Sequence, residues 1–414
     1  MKEGYKQTEL GVIPEDWEIK KLRDCSLIPG KYGINAPAVE FSNDLPTYLR
    51  ITDIDDDGNF ISFNKVSVND MESNNFLLEN EDLVFARTGA TVGKSYLHNS
   101  KLNGNLVYAG FLIMFRLNRA VLLPYYLRLF TQTEKYWNWV KTISMRSGQP
   151  GINSNEYCSL EIPIPPIEEQ NAIANCLSTW DEAIEKQQKL IEAKEIRHKA
   201  LMQKLLSGKK RLPGFTDEWK EYKFSDLIKE VKRKETWDDT KLYDLISVRR
   251  RSGGVFHRES LYGHQIEVKS LVKIKENDFL ISKMQIVHGA SSIVPKKFED
   301  YYVSGSYIIL NIKNDKILSP KYLNLYSKQK SFYYQTFVSS YGVHIEKMTF
   351  DFKTFLKMSA IIPTLNEQNR IVEIIDTSNQ ELEIEKQKVD QLKEQKKALM
   401  QKLLTGKVRL PLNN

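Results

Sequence analysis

The spacing of hydrophobic residues predicts two long helices in this chain. From Ile173 to Leu205, and again from Ile371 to Leu403, the seam positions step alternately by four and three residues. This heptad spacing is typical of a coiled coil. Helices of about 37 residues, or about 55 Å, need a partner to bury such a seam. We expect each helix to pack against the other, with its register fixed by four polar seam residues: Gln187, His198, Glu385 and Lys396.

The sequence also predicts where both helices begin and end. Each follows a proline-containing extended segment, and each stops at a glycine, Gly208 or Gly406, with a proline soon after. Acidic residues open both helices, where the positive end of the helix dipole favours them. These residues are Glu168, Glu169 and Glu367.

An internal repeat organises the whole chain. Residues Pro165–Pro213 align without a gap with Pro363–Pro411, and 20 of the 49 positions are identical. Near the end the identity reaches 13 of 15 positions, from Lys199 and from Lys397. A weaker lead-in repeat aligns on Trp17 and Trp219. A unit of a globular head followed by a helix therefore occurs twice. Antiparallel helices would bring the C-terminal Arg-Leu-Pro back to the N-terminal lead-in, and the chain would be nearly cyclic.

The two heads show short strand-like runs divided by turn residues. Strands are predicted at residues 48–54, 83–86, 111–117, 278–282, 291–295 and 307–312, and short helices at 124–139 and 320–337. The predicted fold class is α+β: two globular β-rich domains separated by two long antiparallel coiled-coil helices, with a pseudo-twofold internal repeat. The predicted divisions are 1–166 for the first head, 167–213 for the central helix, 214–364 for the second head and 365–414 for the C-terminal helix.

Composition is that of an ordinary globular protein, with 414 residues, 41% hydrophobic and a net charge of +7. The sequence has no apolar run long enough to cross a bilayer and no secretory pattern at its start. We therefore expect a cytoplasmic protein that does not associate with a membrane. The basic excess lies in residues 214–364, with 25 Lys and Arg against 18 Asp and Glu. Such an excess is compatible with a phosphate-binding surface.

Both heads carry basic loops containing glycine, hydroxyl and amide residues, a combination that suits DNA. Arginine and lysine reach guanine edges and phosphates, while glutamine pairs with adenine. A strand leading into such a loop recurs at an offset of 196 residues. The alternative for each loop is a merely solvated turn. The candidate DNA-binding residues are Arg87, Thr88, Gly89, Lys94, Arg146 and Gln149 in the first head, and Arg249, Arg250, Arg251, Lys283, Gln285, His288 and His344 in the second.

Two catalytic or metal motifs are approached but not completed. The segment from Thr88 to Ser95 resembles a phosphate-binding loop, but its glycines enclose three residues where the nucleotide motif needs four. Asp53–Gly58 resembles the start of a calcium loop but lacks the closing glutamate, so a hairpin turn is favoured. The motifs of a DNA methyltransferase do not occur. We therefore predict no catalytic residues and no metal site in this chain.

The repeated helix resembles that of the specificity subunits of type I restriction–modification enzymes. The resemblance rests on Glu-Glu-Gln or Asn-Glu-Gln at the helix start and on Lys-Ala-Leu-Met-Gln-Lys-Leu-Leu at its end. It extends to the opening Thr8–Trp17 and to first-head segments around residues 48–55, 83–94 and 147–156. The second head departs from this pattern, with Lys283-Met284-Gln285 in place of Arg87-Thr88-Gly89.

The resemblance implies a mechanism and a set of partners. Each head would read one half of a bipartite site in double-stranded DNA, and the helices would set the spacer. Two modification subunits would methylate adenine with S-adenosylmethionine, and restriction subunits would use ATP and Mg²⁺, while this chain would bind no cofactor itself. The helices would also dock the modification subunits, through Lys199, Gln203, Lys204, Lys397, Gln401 and Lys402.

Two other classes remain open at this stage. One is an enzyme, a nuclease or methyltransferase with unrecognised motifs. The other is a coiled-coil scaffold that binds only protein partners, which predicts no sequence-dependent protection of DNA.

Overall fold

The computed structural model describes residues 3–145, 149–233 and 236–411. They form two compact units, the first from the described parts of 1–188 and 387–414 and the second from those of 189–386. Each unit therefore holds one head together with parts of both long helices. Within the described ranges, no helix is long and apolar enough to span a membrane.

The first head contains twelve described strands. They are β1 (Tyr5–Thr8), β2 (Gly11–Pro14), β3 (Glu18–Lys21), β4 (Ser26–Tyr32), β5 (Ala38–Glu40), β6 (Thr47–Leu49), β7 (Val66–Val68), β8 (Leu83–Ala86), β9 (Ser95–Leu97), β10 (Leu106–Tyr108), β11 (Leu112–Leu117) and β12 (Glu161–Ile164). Two four-stranded sheets, ordered β10-β6-β7-β5 and β4-β11-β8-β9, form most of the head. The pairs β1-β2 and β12-β3 are separate two-stranded sheets.

Four short helices precede the first long one. They are α1 (Ser100–Asn103), α2 (Pro124–Phe130), α3 (Glu134–Ser144) and α4 (Ser154–Cys158), and the long helix is α5 (Ile167–Leu206). Phe85 on β8 and Phe115 on β11 pack edge to face, with 5.6 Å between their ring centroids. Both belong to a core that α2, α3 and α4 cover. This core continues into Ile173 and Leu177 of α5.

The second head repeats this plan with its own strands and helices. Its strands are β13 (Lys220–Lys223), β14 (Ile228–Glu230), β15 (Leu242–Val248), β16 (Val255–Tyr262), β17 (Leu271–Lys273), β18 (Phe279–Ser282), β19 (Ser291–Ile293), β20 (Tyr302–Ser304), β21 (Tyr307–Ile312), β22 (Ser340–Tyr341), β23 (Thr349–Phe350) and β24 (Ser359–Ile362). Its helices are α6 (Phe224–Leu227), α7 (Pro320–Tyr326), α8 (Lys330–Val338) and α9 (Phe352–Phe355), followed by the long helix α10 (Leu365–Leu403).

The repeat in sequence is a repeat in topology. The sheet ordered β14-β21-β18-β19 has the same succession of strands as β4-β11-β8-β9, and β13-β24 corresponds to β12-β3. A second sheet, β16-β15-β20-β17, and the small pair β22-β23 complete this head. The predicted α+β class and the internal repeat are therefore confirmed.

The two long helices run antiparallel within each unit. In the first unit, Lys396 of α10 lies 2.6 Å from Asp181 of α5. In the second unit, Lys194 of α5 lies 2.7 Å from Glu385 of α10. In the second unit His198 of α5 also lies 2.9 Å from Ser378 of α10, and in the first unit Ile173 and Leu177 share a core with Met400 and Leu403. Within each unit the partner's number therefore falls as the residue number rises, so the helix segments point in opposite directions. All twenty predicted seam positions are buried or half-buried, which confirms the heptad assignment.

The C-terminal tail returns to the N-terminal lead-in, as the antiparallel arrangement predicts. In the first unit Arg409 is bonded to Asp16, and the hydroxyl of Tyr5 donates to the carbonyl of Gly406 at 2.9 Å. Gly208 and Gly406 both have φ of +68°, the left-handed conformation expected where a helix stops at glycine.

Three predictions about local structure are wrong. The strand expected at 48–54 ends at Leu49, because the carboxylate of Asp53 bonds the backbone and side chain of Arg50 and bends the chain. Each helix expected at 124–139 and 320–337 is divided in two. In the first head the division comes at Thr131–Thr133, whose hydroxyls accept from or donate to backbone groups of the flanking helices.

The predicted helix starts are confirmed, because Glu168, Glu169 and Glu367 lie in the first turns of α5 and α10. Glu169 and Glu367 are 1% exposed and bind specific side chains, so they do more than oppose a helix dipole. Glu168, which is exposed, remains in the dipole position that the sequence indicates.

Candidate nucleic-acid interface

The predicted first-head loops lie side by side. Thr88 forms an isolated antiparallel bridge with Gly151, and the backbone N–H of Gly89 donates to the carbonyl of Pro150 at 3.0 Å. The N–H of Ile152 donates to the carbonyl of Arg87 at 2.9 Å. The loop after β8 and the segment before α4, more than fifty residues apart in sequence, thus form one surface.

Arg87 and Gln149 are the candidate base-reading side chains at this surface. The guanidinium of Arg87 stacks on the ring of Tyr32, 4.9 Å from its centroid, which orients it without using its hydrogen-bond donors. Gly89 has φ of +70°, and a Cβ there would lie 3.1 Å from the amide nitrogen of Gln149. The absence of a side chain at Gly89 therefore leaves room for Gln149. Arg146 lies outside the described residues.

Lys94, another candidate DNA-binding residue, is paired with a carboxylate in the first head. Its ammonium lies 2.7 Å from the carboxylate of Asp56, and this hydrogen bond holds the pKa of Asp56 below its ordinary value. Asp56 belongs to the turn that resembled a calcium loop. There Gly58 N–H donates to the carbonyl of Asp55 at 3.1 Å, so the segment is the hairpin turn that the sequence favoured. Within the described ranges, no group of three or more histidine, cysteine or acidic residues is placed to hold a metal ion.

Three predicted segments of the second head also come together. The N–H of Arg251 donates to the carbonyl of His288 at 2.7 Å, and the N–H of Ser252 donates to the carbonyl of Gly289 at 2.9 Å. Arg251 and Ser252 have φ of +56° and +55°, so these two contacts hold a left-handed turn. Arg249 stacks on Phe256 at 4.3 Å from its ring centroid, and all three arginines of the turn are exposed.

Glu346 joins the remaining segment to this cluster. Its two carboxylate oxygens lie 3.3 Å from the guanidinium of Arg250 and 3.4 Å from Nε2 of His288. His344, two residues earlier, is exposed. Sequence reasoning missed both Glu346 and Tyr32, since nothing near them in sequence indicates which basic residue they contact.

Lys283 and Gln285 occupy the loop after β18, the counterpart of the loop after β8. The ammonium of Lys283 donates to the carbonyl of Gly305 at 3.0 Å. Among the described residues, the side-chain oxygen of Gln285 is shielded from solvent and has no hydrogen-bond partner. The N–H of Phe350 donates to the carbonyl of Lys283 at 3.0 Å. This bond matches that between Ile152 and Arg87, so both heads build the surface on one scaffold.

Buried residues at the helix starts attach each head to its helix. In the first unit, Nε1 of Trp17 donates to Glu169 at 3.0 Å, and Arg409 binds both oxygens of the same carboxylate. Gln170, fully buried, accepts from the N–H of Leu123 at 2.9 Å and donates to the carbonyls of Val121 and Pro165.

The same attachment recurs in the second unit. Trp219 donates to Glu367 at 3.1 Å, and Arg211 binds both of its oxygens at 2.8 Å. Gln368 accepts from the N–H of Ser319 and donates to the carbonyls of Ile317 and Pro363. The repeated Glu-Gln pair is thus explained by the fold itself.

Comparison with known proteins identifies the class to which this fold and site belong. The model of the type I restriction modification DNA specificity domain matches residues 14–195 and 216–394, one match for each repeat. The chain therefore belongs to this family of DNA specificity proteins.

Two similar proteins come from Methanocaldococcus jannaschii. The putative type I restriction enzyme MjaX specificity subunit is 26% identical, with 99% of this chain and 97% of that protein covered. The type I restriction enzyme MjaVIII specificity subunit is 23% identical, with 99% and 96% covered.

Solved structures share the fold. A chain from a structure of the assembly and conformational transition of the type I R-M system matches with a TM-score of 0.60 at 17% identity, covering 96% of this chain and 99% of that one. The HsdS subunit from Thermoanaerobacter tengcongensis matches with a TM-score of 0.53 at 18% identity, covering 96% and 98%.

Proposed function

We propose that this chain recognises a bipartite DNA site for a type I restriction–modification enzyme, with one half read by each head. The observation that carries the proposal is the recurrence of one basic surface on both heads. The same backbone bond, from Ile152 to Arg87 and from Phe350 to Lys283, closes that surface in each case, while the side chains differ. A common scaffold with different side chains is what two readers of different sequences require.

The proposal extends to the division of labour in the enzyme. The chain contributes recognition and no catalysis, whereas S-adenosylmethionine, ATP and Mg²⁺ are bound by modification and restriction subunits. The long helices set the separation between the two half-sites. Turnover of DNA by the purified chain alone, given Mg²⁺ and S-adenosylmethionine, would contradict this assignment.

Substitution of one basic residue in each head tests the reading of half-sites. Arg87→Ala removes a stacked guanidinium from the first head, and Lys283→Ala removes an ammonium from the second. We expect each to weaken protection of one half-site only, by about tenfold for the loss of a base or phosphate contact. Footprinting of the assembled enzyme measures both halves on one DNA. Equal loss at both halves with either variant would argue against two independent readers.

The exposed ends of the long helices are the proposed docking surface for modification subunits. Leu205, Leu206, Leu403 and Leu404 are buried in the head cores, which accounts for part of the near-identity of the two helix ends. Lys204 and Lys402 are exposed and occupy equivalent positions of the repeat, where both helices carry lysine. Packing of the cores does not require this identity. This exposed identity supports a surface that meets two copies of one partner.

Charge reversal at these lysines tests the docking proposal. We expect Lys204→Glu with Lys402→Glu to reduce copurification of modification subunits several-fold, because opposite charges at an interface rim are replaced by like charges. Lys186→Glu, at an 80% exposed position in the middle of α5, serves as the matched control. Normal assembly of the double variant would exclude this surface.

A further inference from the structure

The second head carries an apolar tip on the small hairpin formed by β22 and β23. Residues 342–348 connect the two strands and include a single turn at Ile345–Lys347. Tyr341 is 66% exposed, Val343 95% and Ile345 52%. Isolated exposed apolar residues are ordinary, but three at alternate positions of one hairpin indicate a surface that something covers.

Backbone contacts hold this hairpin in a defined conformation. The N–H of Asp351 donates to the carbonyl of Ser339 at 2.7 Å, closing the base of the hairpin, and the N–H of Lys347 donates to the carbonyl of His344 at 2.8 Å. At Gly342, φ is +151° and a Cβ would lie 3.0 Å from Cα of Met348. A loop ordered before binding loses little further entropy when it binds.

The surroundings of the tip are basic. Glu346 connects the loop to Arg250 and His288, at 3.3 and 3.4 Å, so the apolar residues lie beside the exposed arginine turn. His344 and Lys347 are themselves exposed on the loop. Apolar side chains beside exposed cations match duplex DNA, whose phosphates attract the cations and whose major groove presents the 5-methyl group of thymine.

The described residues of the first head add a hydrogen-bonding side chain at the corresponding place. The matching bonds from Ile152 to Arg87 and from Phe350 to Lys283 align the segment before Ile152 with the hairpin tip. The described part of that first-head segment offers the amide of Gln149 and the 75% exposed side chain of Met145. An amide reads bases by hydrogen bonds, whereas valine and isoleucine can contact only methyl groups and ring carbons.

We infer that the tip formed by Tyr341, Val343 and Ile345 enters the major groove of the half-site read by the second head, and that Val343 contacts the methyl group of a thymine there. The inference rests on the proposed function and adds a base type and a contact to it. The second half-site must then contain a thymine whose methyl group contributes to binding.

The test removes methyl groups from each side of the contact, from thymine by replacing it with uracil and from Val343 by replacing it with alanine. The half-site is first identified by selecting duplexes bound by the assembled enzyme, and each of its thymines is then replaced in turn by uracil. The affinity of the enzyme is measured on each duplex with the wild-type chain, with Val343→Ala and with Val12→Ala, a control at an exposed valine of the first unit. We expect uracil at one position to weaken wild-type binding about fourfold, as for one buried methyl group.

The decisive result is the combination of both changes. With Val343→Ala, binding should be weaker by about tenfold on the thymine duplex, and uracil should cause no further loss, because the same contact is already absent. Val12→Ala should leave both affinities unchanged. Independent, additive losses, or no sensitivity to uracil at any position, would overturn the thymine contact.

Two further outcomes would overturn the inference in distinguishable ways. If Val343→Ala reduces assembly with modification subunits and leaves DNA affinity intact, the tip covers a protein surface. If the wild-type enzyme selects no DNA sequence in the first step, the proposed function fails together with the inference. If it selects a half-site but uracil has no effect, only the thymine contact fails.

Discussion

At the scale of single residues, the two Trp-Glu-Arg contacts are the chain's most informative feature. Each places a nearly inaccessible carboxylate between an indole N–H and a guanidinium that comes from the tail following the other long helix. A buried carboxylate without its cation is costly, because the lost solvation is no longer offset. The contacts therefore link the stability of each head to attachment of the tail.

Removal of the cation should destabilise the first unit measurably. For Arg409→Ala we expect a loss of about 2 kcal/mol in the free energy of unfolding, less than for a fully buried pair because Arg409 is 37% exposed. Arg370→Ala, which removes a surface pair with Glu373, is the control and should change little. Urea denaturation gives both values, and equal stability of the two variants would show that the contact does not anchor the tail.

The residue scale also marks a limit of sequence reasoning. The identity of Glu169 and Glu367 is visible in the repeat, but their burial is not, since it depends on Trp17 and Trp219, about 150 residues away. Acidic residues at a helix start have a local explanation, the dipole, and that explanation was incomplete here. The basic residues of the loops were identifiable by type, whereas the engagement of Lys94 by Asp56 was not.

At the scale of elements, the helix pair was predictable because its seam repeats every seven residues. Polar seam residues contact one another across the helix pair. In the second unit Lys194 forms an ion pair with Glu385, and Nδ1 of His198 lies 2.9 Å from Oγ of Ser378. The divided helices of the heads were not predictable from apolar spacing, which continues through Thr133. There a hydroxyl that accepts from the N–H of Tyr136 starts a new helix.

The helix pair of the second unit should lose stability in mild acid through His198. Burial, together with the positive charge of Lys328, lowers the pKa of His198 below its ordinary value of 6.5, so the folded state favours the neutral ring. The resulting stability is present above that value and is lost as the pH falls through the lowered pKa.

Comparison with His198→Gln isolates this contribution from that of the carboxylates. We expect the wild-type chain to lose more stability than the variant between about pH 7.5 and pH 5, where histidine titrates. Thermal unfolding at several pH values measures the difference. Parallel curves for the two proteins would mean that His198 does not titrate with folding.

At the scale of the whole molecule, the repeat accounts for the architecture more directly than any one motif does. Each unit is assembled from a head and from parts of both helices, so neither half of the sequence forms a unit alone. The return of the tail to Asp16 follows from the antiparallel helices and was predictable once the repeat was recognised. What each head reads was not predictable, because it depends on loop side chains in which the heads differ.

The proposed role of the helices gives a prediction about length. Seven residues inserted in α5 after Gln188, with seven in α10 after Lys386, keep the heptad phase and lengthen the pair by about 10 Å. This length corresponds to about three base pairs of DNA. An insertion of four residues in one helix, about one helical turn, should also change the spacer while leaving both half-sites readable, because a coiled coil accommodates four extra residues by local unwinding.

The most direct test is to select DNA from a random pool with the enzyme assembled on either the wild-type chain or the seven-residue insertion variant. The wild-type enzyme should select two short fixed sequences separated by bases of any kind. The variant should select the same two sequences with the gap longer by about three base pairs. An unchanged gap, or altered half-sites, would contradict the account.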